Sequence, residues 1–255
     1  MNSKFFLKNG YQKITLDKIY LKKLKYLLIK KIKKKIKTKS VNLDYFHNYY
    51  QQSKINNLRI HLYKEINNDK NFQDLIYKSA KYHIDEMVGS EIAKSKSNLS
   101  IQFPHDDKSL LSMHSDFFSG ESIFQINLWI PFVDVKKTKS MFIINPIKSI
   151  EILKKIKISK KLTFSQIHKK YQKDMRWINL KFGEAIIFSP NCLHGNVTNL
   201  EKTSRWSINI RYKNLYSPYN GIFGNEKKIG TFYKMFEPKL ITKFNLIYNF
   251  NEFQK

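Results

Sequence analysis

The sequence contains a single cysteine, Cys192, among 255 residues. One cysteine excludes an intramolecular disulfide and is typical of a protein from a reducing compartment. No apolar run approaches the roughly 18 residues that a membrane-spanning helix needs. The first residues, MNSKFFLKNG, contain no apolar core of a signal peptide. We therefore expect a soluble, cytoplasmic protein.

Arginine is scarce although the chain is strongly basic. Only four of the 47 basic residues are arginine, and the formal net charge is +27. Proteins that read base edges and phosphates favour the bidentate fork of arginine, so lysines spread along the whole chain argue against nucleic-acid binding. A hydrophobic content of 42%, with 19 Phe and 15 Tyr, argues against disorder and is sufficient for a large buried core.

The first third of the sequence has helical periodicity. In residues 14–37 apolar residues recur at near-helical spacing between lysines, which predicts a basic amphipathic helix. We expect its apolar stripe to pack on the domain, and peripheral contact of its basic face with an anionic membrane is the alternative. Further helical stretches are predicted near residues 45–52, in LRIHLYKEIN and over residues 71–94. Residues 1–95 are thus predicted to form a helical region packed on the core.

After this region the sequence changes to β-type segments. NLSIQFP, ESIFQINLWIPFVDV, SMFIINP and TSRWSINIRYKNL are typical of strands. Residues 147–171 interrupt them as a lysine-rich helical insertion. Residues 96–255 are therefore predicted to form a mainly β domain, which makes a single α+β structural unit together with the helical region.

Two of the predicted strands carry polar faces. In TSRWSINIRYKNL, Arg205 and Arg211 share one face with a serine and an asparagine, opposite an apolar face. Such a face favours a pocket for an anion or a polar substrate. In ESIFQINLWIPFVDV, Asn127 lies on a face that could hydrogen-bond a carboxylated ligand.

Three of the seven histidines stand two residues before an aspartate. His83 and Asp85 lie in a segment with helical spacing, where their side chains would point about 200° apart. We interpret this pair as structural. His105 and Asp107 follow a proline in a polar loop, and spacing alone permits them to chelate a metal ion.

The third pair, His114 and Asp116, lies in LSMHSDFFSG, an extended segment with aromatic neighbours. Residues i and i+2 of a strand point to the same side, so both side chains could hold one metal ion. Downstream, SPNCLHGN supplies His194, and Arg205 follows eleven residues later. Two histidines and one carboxylate that leave open coordination positions are the arrangement of non-haem iron(II) oxygenases. Spacing alone does not choose between this pair and the loop pair.

The chain resembles the sporadic carbohydrate cluster 2-oxoglutarate and iron(II) oxygenases, relatives of the phytanoyl-CoA dioxygenase superfamily. The resemblance is carried by LSIQFPHDDKSLLSMHSDFFSGESIFQINLWIPFVDVKKTKSMFI, SPNCLHGN and TSRWSINIRYKNLYSPY. It is most specific in HSDxxSG, NLWIPFVD, TKSMF, HGN and RWSIN, and it implies a double-stranded β-helix, a cupin-like jelly-roll barrel with the metal in its mouth.

The family pattern implies a role for each matching residue. It places the iron ligands at His114, Asp116 and His194, and so favours the third pair over the loop pair. It places the partner of the 2-oxoglutarate carboxylate at Arg205. The implied cofactors are Fe(II) and 2-oxoglutarate, the latter as co-substrate.

Two further residues are candidates for the co-substrate site. Arg211 lies on the same strand face as Arg205 and competes for the carboxylate, because either guanidinium could pair with it bidentately. Asn127 is a candidate for an additional co-substrate contact.

The implied activity is hydroxylation, in which 2-oxoglutarate is converted to succinate and carbon dioxide. The family name implies a substrate of surface polysaccharide or carbohydrate biosynthesis, either a nucleotide-linked or lipid-linked sugar or a small polar metabolite. Apolar walls are expected from Phe117, Phe118, Trp129 and Trp206, which could equally belong to the core. The alternatives are a non-catalytic glycan-binding module and a barrel enzyme that uses another divalent metal as a hydrolase or isomerase.

Overall fold

Helices and antiparallel strands alternate along the chain, of which the computed structural model describes residues 2–158, 164–218 and 227–248. The helices in these ranges are α1 (Ser3–Asn9), α2 (Lys18–Ile36), α3 (Ile55–Asn68), α4 (Lys70–Val88), α5 (Pro146–Ile158), α6 (Phe164–Tyr171) and α7 (Leu240–Tyr248). The strands are β1 (Tyr11–Thr15), β2 (Ile92–Lys94), β3 (Asn98–Gln102), β4 (Gln125–Pro131), β5 (Phe142–Ile143), β6 (Arg176–Trp177), β7 (Glu184–Phe188), β8 (His194–Gly195), β9 (Arg205–Asn214) and β10 (Lys234–Glu237). None of these helices is both long enough and apolar enough to cross a membrane.

The long strand β9 is the centre of a seven-stranded sheet. It pairs along one side with β4 and along the other with β3 and β2. The strand order is β1-β7-β4-β9-β2-β10, with β3 as a further partner of β9. A smaller sheet has the order β6-β5-β8. Every pairing in both sheets is antiparallel.

This architecture confirms the predicted mixture of helices and antiparallel sheet. The strands of the described residues do not close into a barrel, so the double-stranded β-helix stays a prediction here. The predicted boundary after residue 95 also stays a prediction. Strands β1 and β2 come from the N-terminal region, which therefore extends the sheet in addition to covering it.

The lysine-rich helix α2 packs its apolar stripe into the core. Leu21, Leu24, Leu28 and Ile32 are buried at the spacing of three or four residues that places side chains on one helix face. Asp17 caps the helix, because its carboxylate accepts hydrogen bonds from two backbone N–H groups of the first turn. The packing predicted for this helix is confirmed.

Two segments of the N-terminal region differ from their predicted helices. Residues 45–52 form only short 3₁₀ turns, Phe46–Asn48 and the beginning of Gln52–Lys54. Helix α4 ends before residue 94, because Gly89 turns the chain with a φ of 79° that glycine adopts without strain. The following residues join the sheet as β2 instead. The predicted helical insertion is present as α5 and α6.

Replacing Leu28 with alanine should lower the free energy of unfolding by about 2–5 kcal/mol, because a large buried side chain is removed and a cavity remains. Urea denaturation measures this change. Tyr26→Ala is the control, since Tyr26 lies on the exposed face of the same helix with 64% exposure and should change stability by less than about 0.5 kcal/mol. Equal losses in both variants would contradict the burial of this face.

Candidate metal centre

Three side chains from two distant parts of the chain converge on one point. The metal-binding atoms of His114, Asp116 and His194 all lie within 4.8 Å of one another. Asp116 Oδ1 is 3.5 Å from His114 Nε2 and 4.0 Å from His194 Nε2. Metal–nitrogen and metal–oxygen bonds of a divalent ion measure roughly 2.0–2.2 Å, so one ion can bind two atoms that lie up to about 4.4 Å apart. Both carboxylate–imidazole distances are below this limit. The sequence-predicted ligand set is therefore brought together.

Main-chain hydrogen bonds hold the two histidines beside each other. His114 and His194 exchange a pair of N–H···O=C bonds of 2.9 Å each, and β8, which begins at His194, pairs with β5. Asp116 is not in a strand but begins a 3₁₀ turn that ends at Gly120. The extended segment predicted there is therefore limited to the residues around Ser115, whose extended backbone still places His114 and Asp116 on the same side.

Backbone carbonyls fix the orientation of both imidazole rings. His114 Nδ1 lies 2.7 Å from the carbonyl oxygen of Ser112, and His194 Nδ1 lies 3.0 Å from that of Cys192. A carbonyl only accepts, so each Nδ1 carries the proton and each Nε2 presents its lone pair to the centre.

His194 Nε2 is buried and has no hydrogen-bond partner among the described residues. Burial lowers the pKa of His194 to about 4, so this ring is neutral at pH 7. Two neutral imidazoles and one carboxylate are a donor set that suits divalent iron and its neighbours in the first transition row. The residues therefore fit a metal ion.

The carboxylate of Asp116 is buried and receives a donor on each oxygen. Asn127 Nδ2 donates to Oδ2 at 2.7 Å, and Arg211 Nη2 donates to Oδ1 at 3.1 Å. Burial alone would raise the pKa of Asp116, but the charge of Arg211 holds it well below its usual range. Asp116 is thus an anion at neutral pH.

The polar network continues behind this carboxylate. Arg211 Nε donates to Glu121 Oε2 at 3.0 Å, and Lys227 Nζ lies 2.8 Å from Glu121 Oε1. The sequence did not predict that Glu121 belongs to the site or that Arg211 bonds both carboxylates. No sequence spacing signals them, since Glu121 and Arg211 are 90 residues apart.

Asn127 contacts the carboxylate ligand rather than open space. Its Nδ2 is used by Asp116, and its Oδ1 accepts from Gln125 Nε2 at 3.2 Å. The structure thus gives it a position behind Asp116, while its predicted contact with the co-substrate stays a prediction.

The polar face of β9 lines a pocket of about 120 Å³ beside the three ligands. As the alternation in the sequence predicts, this face presents Arg205, Ser207, Asn209 and Arg211 to the pocket, together with His194.

Arg205 lies in this pocket as a buried cation. Its Nη1 donates to the Ser140 carbonyl and its Nη2 to Ser100 Oγ, each at 3.2 Å, and Nε has no partner among the described residues. Burial lowers the pKa of Arg205 to about 10, although the charge of Asp106 opposes that shift. Among the described residues no carboxylate forms an ion pair with this side chain.

The aromatic residues predicted as pocket walls divide between two places. Trp129 lines the pocket. Trp206 faces the opposite side of β9 and packs edge-on against Phe46 in the core, with 5.0 Å between ring centroids. Trp206 therefore takes the core position that the sequence left open as the alternative, because strand alternation turns it away from Arg205. Phe117 and Phe118 lie in the 3₁₀ turn after the carboxylate ligand.

The other two His-x-Asp pairs lie away from the centre. His83 and Asp85 are on α4, where Asp85 accepts a hydrogen bond from the Tyr77 hydroxyl. His105 lies in a loop, with a φ of 56° and an exposed side chain. Neither pair belongs to a group of three metal-binding side chains in the part of the chain that the structure describes.

Several solved structures share this fold. The non-haem monooxygenase ThoJ, solved with nickel, aligns with a TM-score of 0.55 and 13% identity over 97% of this chain and 94% of ThoJ. EctD from S. alaskensis aligns with a TM-score of 0.55 and 12% identity over 89% of this chain and 82% of EctD. AviO1 from Streptomyces viridochromogenes aligns with a TM-score of 0.54 and 12% identity, covering 84% of this chain and 93% of AviO1. No protein-family model and no curated protein matches the sequence.

Replacing Asn127 with alanine should weaken metal binding about 10- to 100-fold, because the carboxylate of Asp116 loses the donor that orients it. Anaerobic titration calorimetry with Fe(II), or with Co(II) as a spectroscopic substitute, measures the affinity. The matched control is Asn209→Ala, since Asn209 lies in the same pocket and its side-chain oxygen has no partner among the described residues. Equal affinity of the Asn127 variant and the wild type would show that this hydrogen bond does not support the centre.

Proposed function

We propose that the protein is an iron(II)- and 2-oxoglutarate-dependent dioxygenase that hydroxylates a small polar substrate. The observation that carries this proposal is the convergence of His114, Asp116 and His194 beside the buried, carboxylate-free Arg205. Iron(II) held by these three ligands would supply oxidative chemistry in which 2-oxoglutarate and dioxygen yield succinate, carbon dioxide and a hydroxylated substrate.

His194 also lines the pocket that contains Arg205, so the candidate metal centre adjoins this pocket. Each histidine is oriented by a carbonyl, and the carboxylate is oriented by Asn127 and Arg211. These hydrogen bonds orient the three side chains before an ion binds, which favours tight and specific metal binding.

Arg205 is the preferred partner for the carboxylate of 2-oxoglutarate. Its charge is buried and forms no ion pair with a carboxylate among the described residues, which is costly unless a ligand supplies an anion. Ser207, two residues along the same face, has a buried hydroxyl without a partner and would donate to the same carboxylate. Arg211 already forms ion pairs with Asp116 and Glu121. We therefore assign binding of the co-substrate carboxylate to Arg205.

The metal centre joins the two sheets, which supports a jelly-roll arrangement. His194 lies in the smaller sheet, whereas Asn127 and Arg211 lie in the larger one. We infer that the two sheets form the double-stranded β-helix that the family resemblance implies, with the metal between them. The TM-score of 0.55 to the non-haem monooxygenase ThoJ supports this inference.

The substrate is proposed to be a sugar-linked or small polar metabolite of carbohydrate biosynthesis. The polar lining of the pocket, with Asn98, Ser100, Asn196 and Asn209 around the ligands, supports a hydroxylated molecule rather than a lipid chain. The family resemblance supports the carbohydrate class.

Adding Fe(II) and 2-oxoglutarate to the purified protein without oxygen should produce the weak visible charge-transfer band of the iron–keto acid chelate. His114→Ala should abolish the band, because a metal ligand is lost. His105→Ala is the matched control, since His105 lies in an exposed loop, and should leave the band intact. A metal-loaded wild type without the band would contradict the oxygenase assignment and favour a hydrolase or isomerase with another metal, or a glycan-binding module.

Replacing Arg205 with alanine should weaken 2-oxoglutarate binding about 10- to 100-fold, the loss expected for a charge-assisted hydrogen-bonded pair. Metal affinity should change far less, because Arg205 donates to Ser140 and Ser100 rather than to a metal ligand. Titration of the band with 2-oxoglutarate measures the first quantity and calorimetry the second. Arg176→Ala, at an exposed arginine, controls for loss of positive charge. An unchanged 2-oxoglutarate affinity in Arg205→Ala would transfer the role to Arg211.

A further inference from the structure

A larger groove adjoins the pocket of the metal centre. One wall is the turn Gln52–Lys54 with the first residues of α3, the other wall is the loop of residues 106–111, and β3 forms the floor. We call this space the outer groove. It shares Asn98, Ser100 and Leu111 with the metal pocket, so the two spaces adjoin.

The volumes of the two spaces indicate different occupants. The metal pocket measures about 120 Å³, which is below the roughly 300–1,000 Å³ typical of small-molecule sites. The outer groove measures about 960 Å³, which lies within that range. A substrate that reaches the metal centre must therefore place most of its atoms in the outer groove.

Asp106 lines the outer groove with an incompletely bonded carboxylate. Its side chain is only 1% exposed. Oδ1 accepts from Gln52 Nε2 at 3.0 Å and from the Lys108 backbone N–H at 2.9 Å, whereas Oδ2 has no partner among the described residues. Because a buried carboxylate oxygen without a donor is destabilising, this position favours a ligand that brings an O–H group.

Two cations line the same groove on its exposed walls. Arg59 Nη2 donates to Asn56 Oδ1 at 2.6 Å, and Lys108 extends from the opposite loop. Neither forms an ion pair with a carboxylate among the described residues. The guanidinium fork and the ammonium group are the two side chains that bind phosphate oxygens.

We propose that the outer groove is the substrate site and that it selects a phosphorylated, hydroxyl-bearing small molecule. Asp106 accepts a substrate hydroxyl on the inner side, and Arg59 and Lys108 bind the phosphate on the outer side. The binding claim rests on the groove alone, and only its link to hydroxylation rests on the proposed function.

The test is ligand binding to the full-length, metal-free protein. Titration calorimetry compares recognition of the hydroxyl groups with recognition of the phosphate. The ligands are ribose 5-phosphate, glucose 1-phosphate, ribose, glucose and inorganic phosphate. At least one sugar phosphate should bind tenfold or more tightly than both its free sugar and inorganic phosphate. Binding of none of the sugar phosphates, or equal binding of inorganic phosphate, would overturn the proposal.

Variants assign the binding to the groove. Asp106→Asn keeps the Oδ1 acceptor used by Gln52 and Lys108 but removes the second acceptor oxygen, so sugar phosphate affinity should fall at least tenfold. The matched control Asp107→Asn, at the neighbouring exposed aspartate, should change nothing. Equal affinity of Asp106→Asn and the wild type, or an equal loss in Asp107→Asn, would contradict the role of Asp106.

The double variant Arg59→Gln with Lys108→Gln tests phosphate binding by the groove, and both substitutions are at exposed residues. It should lower sugar phosphate affinity at least tenfold, whereas Lys30→Gln on the exposed face of α2 should not. Retained affinity in the double variant would overturn the phosphate assignment. Since no metal is present, these results stand whether or not the iron–keto acid chelate forms.

Discussion

The buried charge of Asp116 is the constraint on which the centre depends. A carboxylate taken out of water must be paired and hydrogen-bonded, and both donors come from adjacent strands. Asn127 of β4 and Arg211 of β9 are direct register partners in the sheet, so the two donors stand side by side. A slip of one residue between these strands would turn one of them to the other face. The register of the sheet thus determines whether the carboxylate can be ionised.

The N-terminal region supports the centre indirectly. Strand β1 pairs with β7, and the Ser189 N–H donates to the Gly10 carbonyl at 2.7 Å just before the loop that leads to His194. Gly10 has a φ of 73°, and a Cβ at this position would collide with Cys192 Sγ. The close approach at Gly10 therefore positions the segment that presents His194. The same contact shows that Cys192 is a packing residue. Burial raises the pKa of its thiol to about 12.

Patterns within a short stretch of sequence predicted features that depend on one strand or one helix alone. The His-x-Asp spacing, the polar face of β9 and the apolar stripe of α2 follow from side-chain periodicity, and the family resemblance selected His114 from three similar pairs. The partners of Asp116 were not predictable in this way, because Arg211 lies 95 residues away. The short strand β2 was predicted as the end of a helix, because three residues are too few to show a strand periodicity. Sequence position also does not distinguish Arg205 from Arg211. Only the contacts in the structure show that Arg211 pairs with carboxylates and Arg205 does not.

The main-chain bridge between His114 and His194 also has a consequence for folding. The bridge closes about 80 residues of chain, so the ligand set is complete only after a long-range contact has formed. An ion bound there acts as a reversible cross-link between two segments that the unfolded chain keeps apart. An ion that binds only the native chain would add about 2.7 kcal/mol of stability when its free concentration is 100 times its dissociation constant. The free energy of unfolding would thereby depend on the concentration of metal in the surroundings.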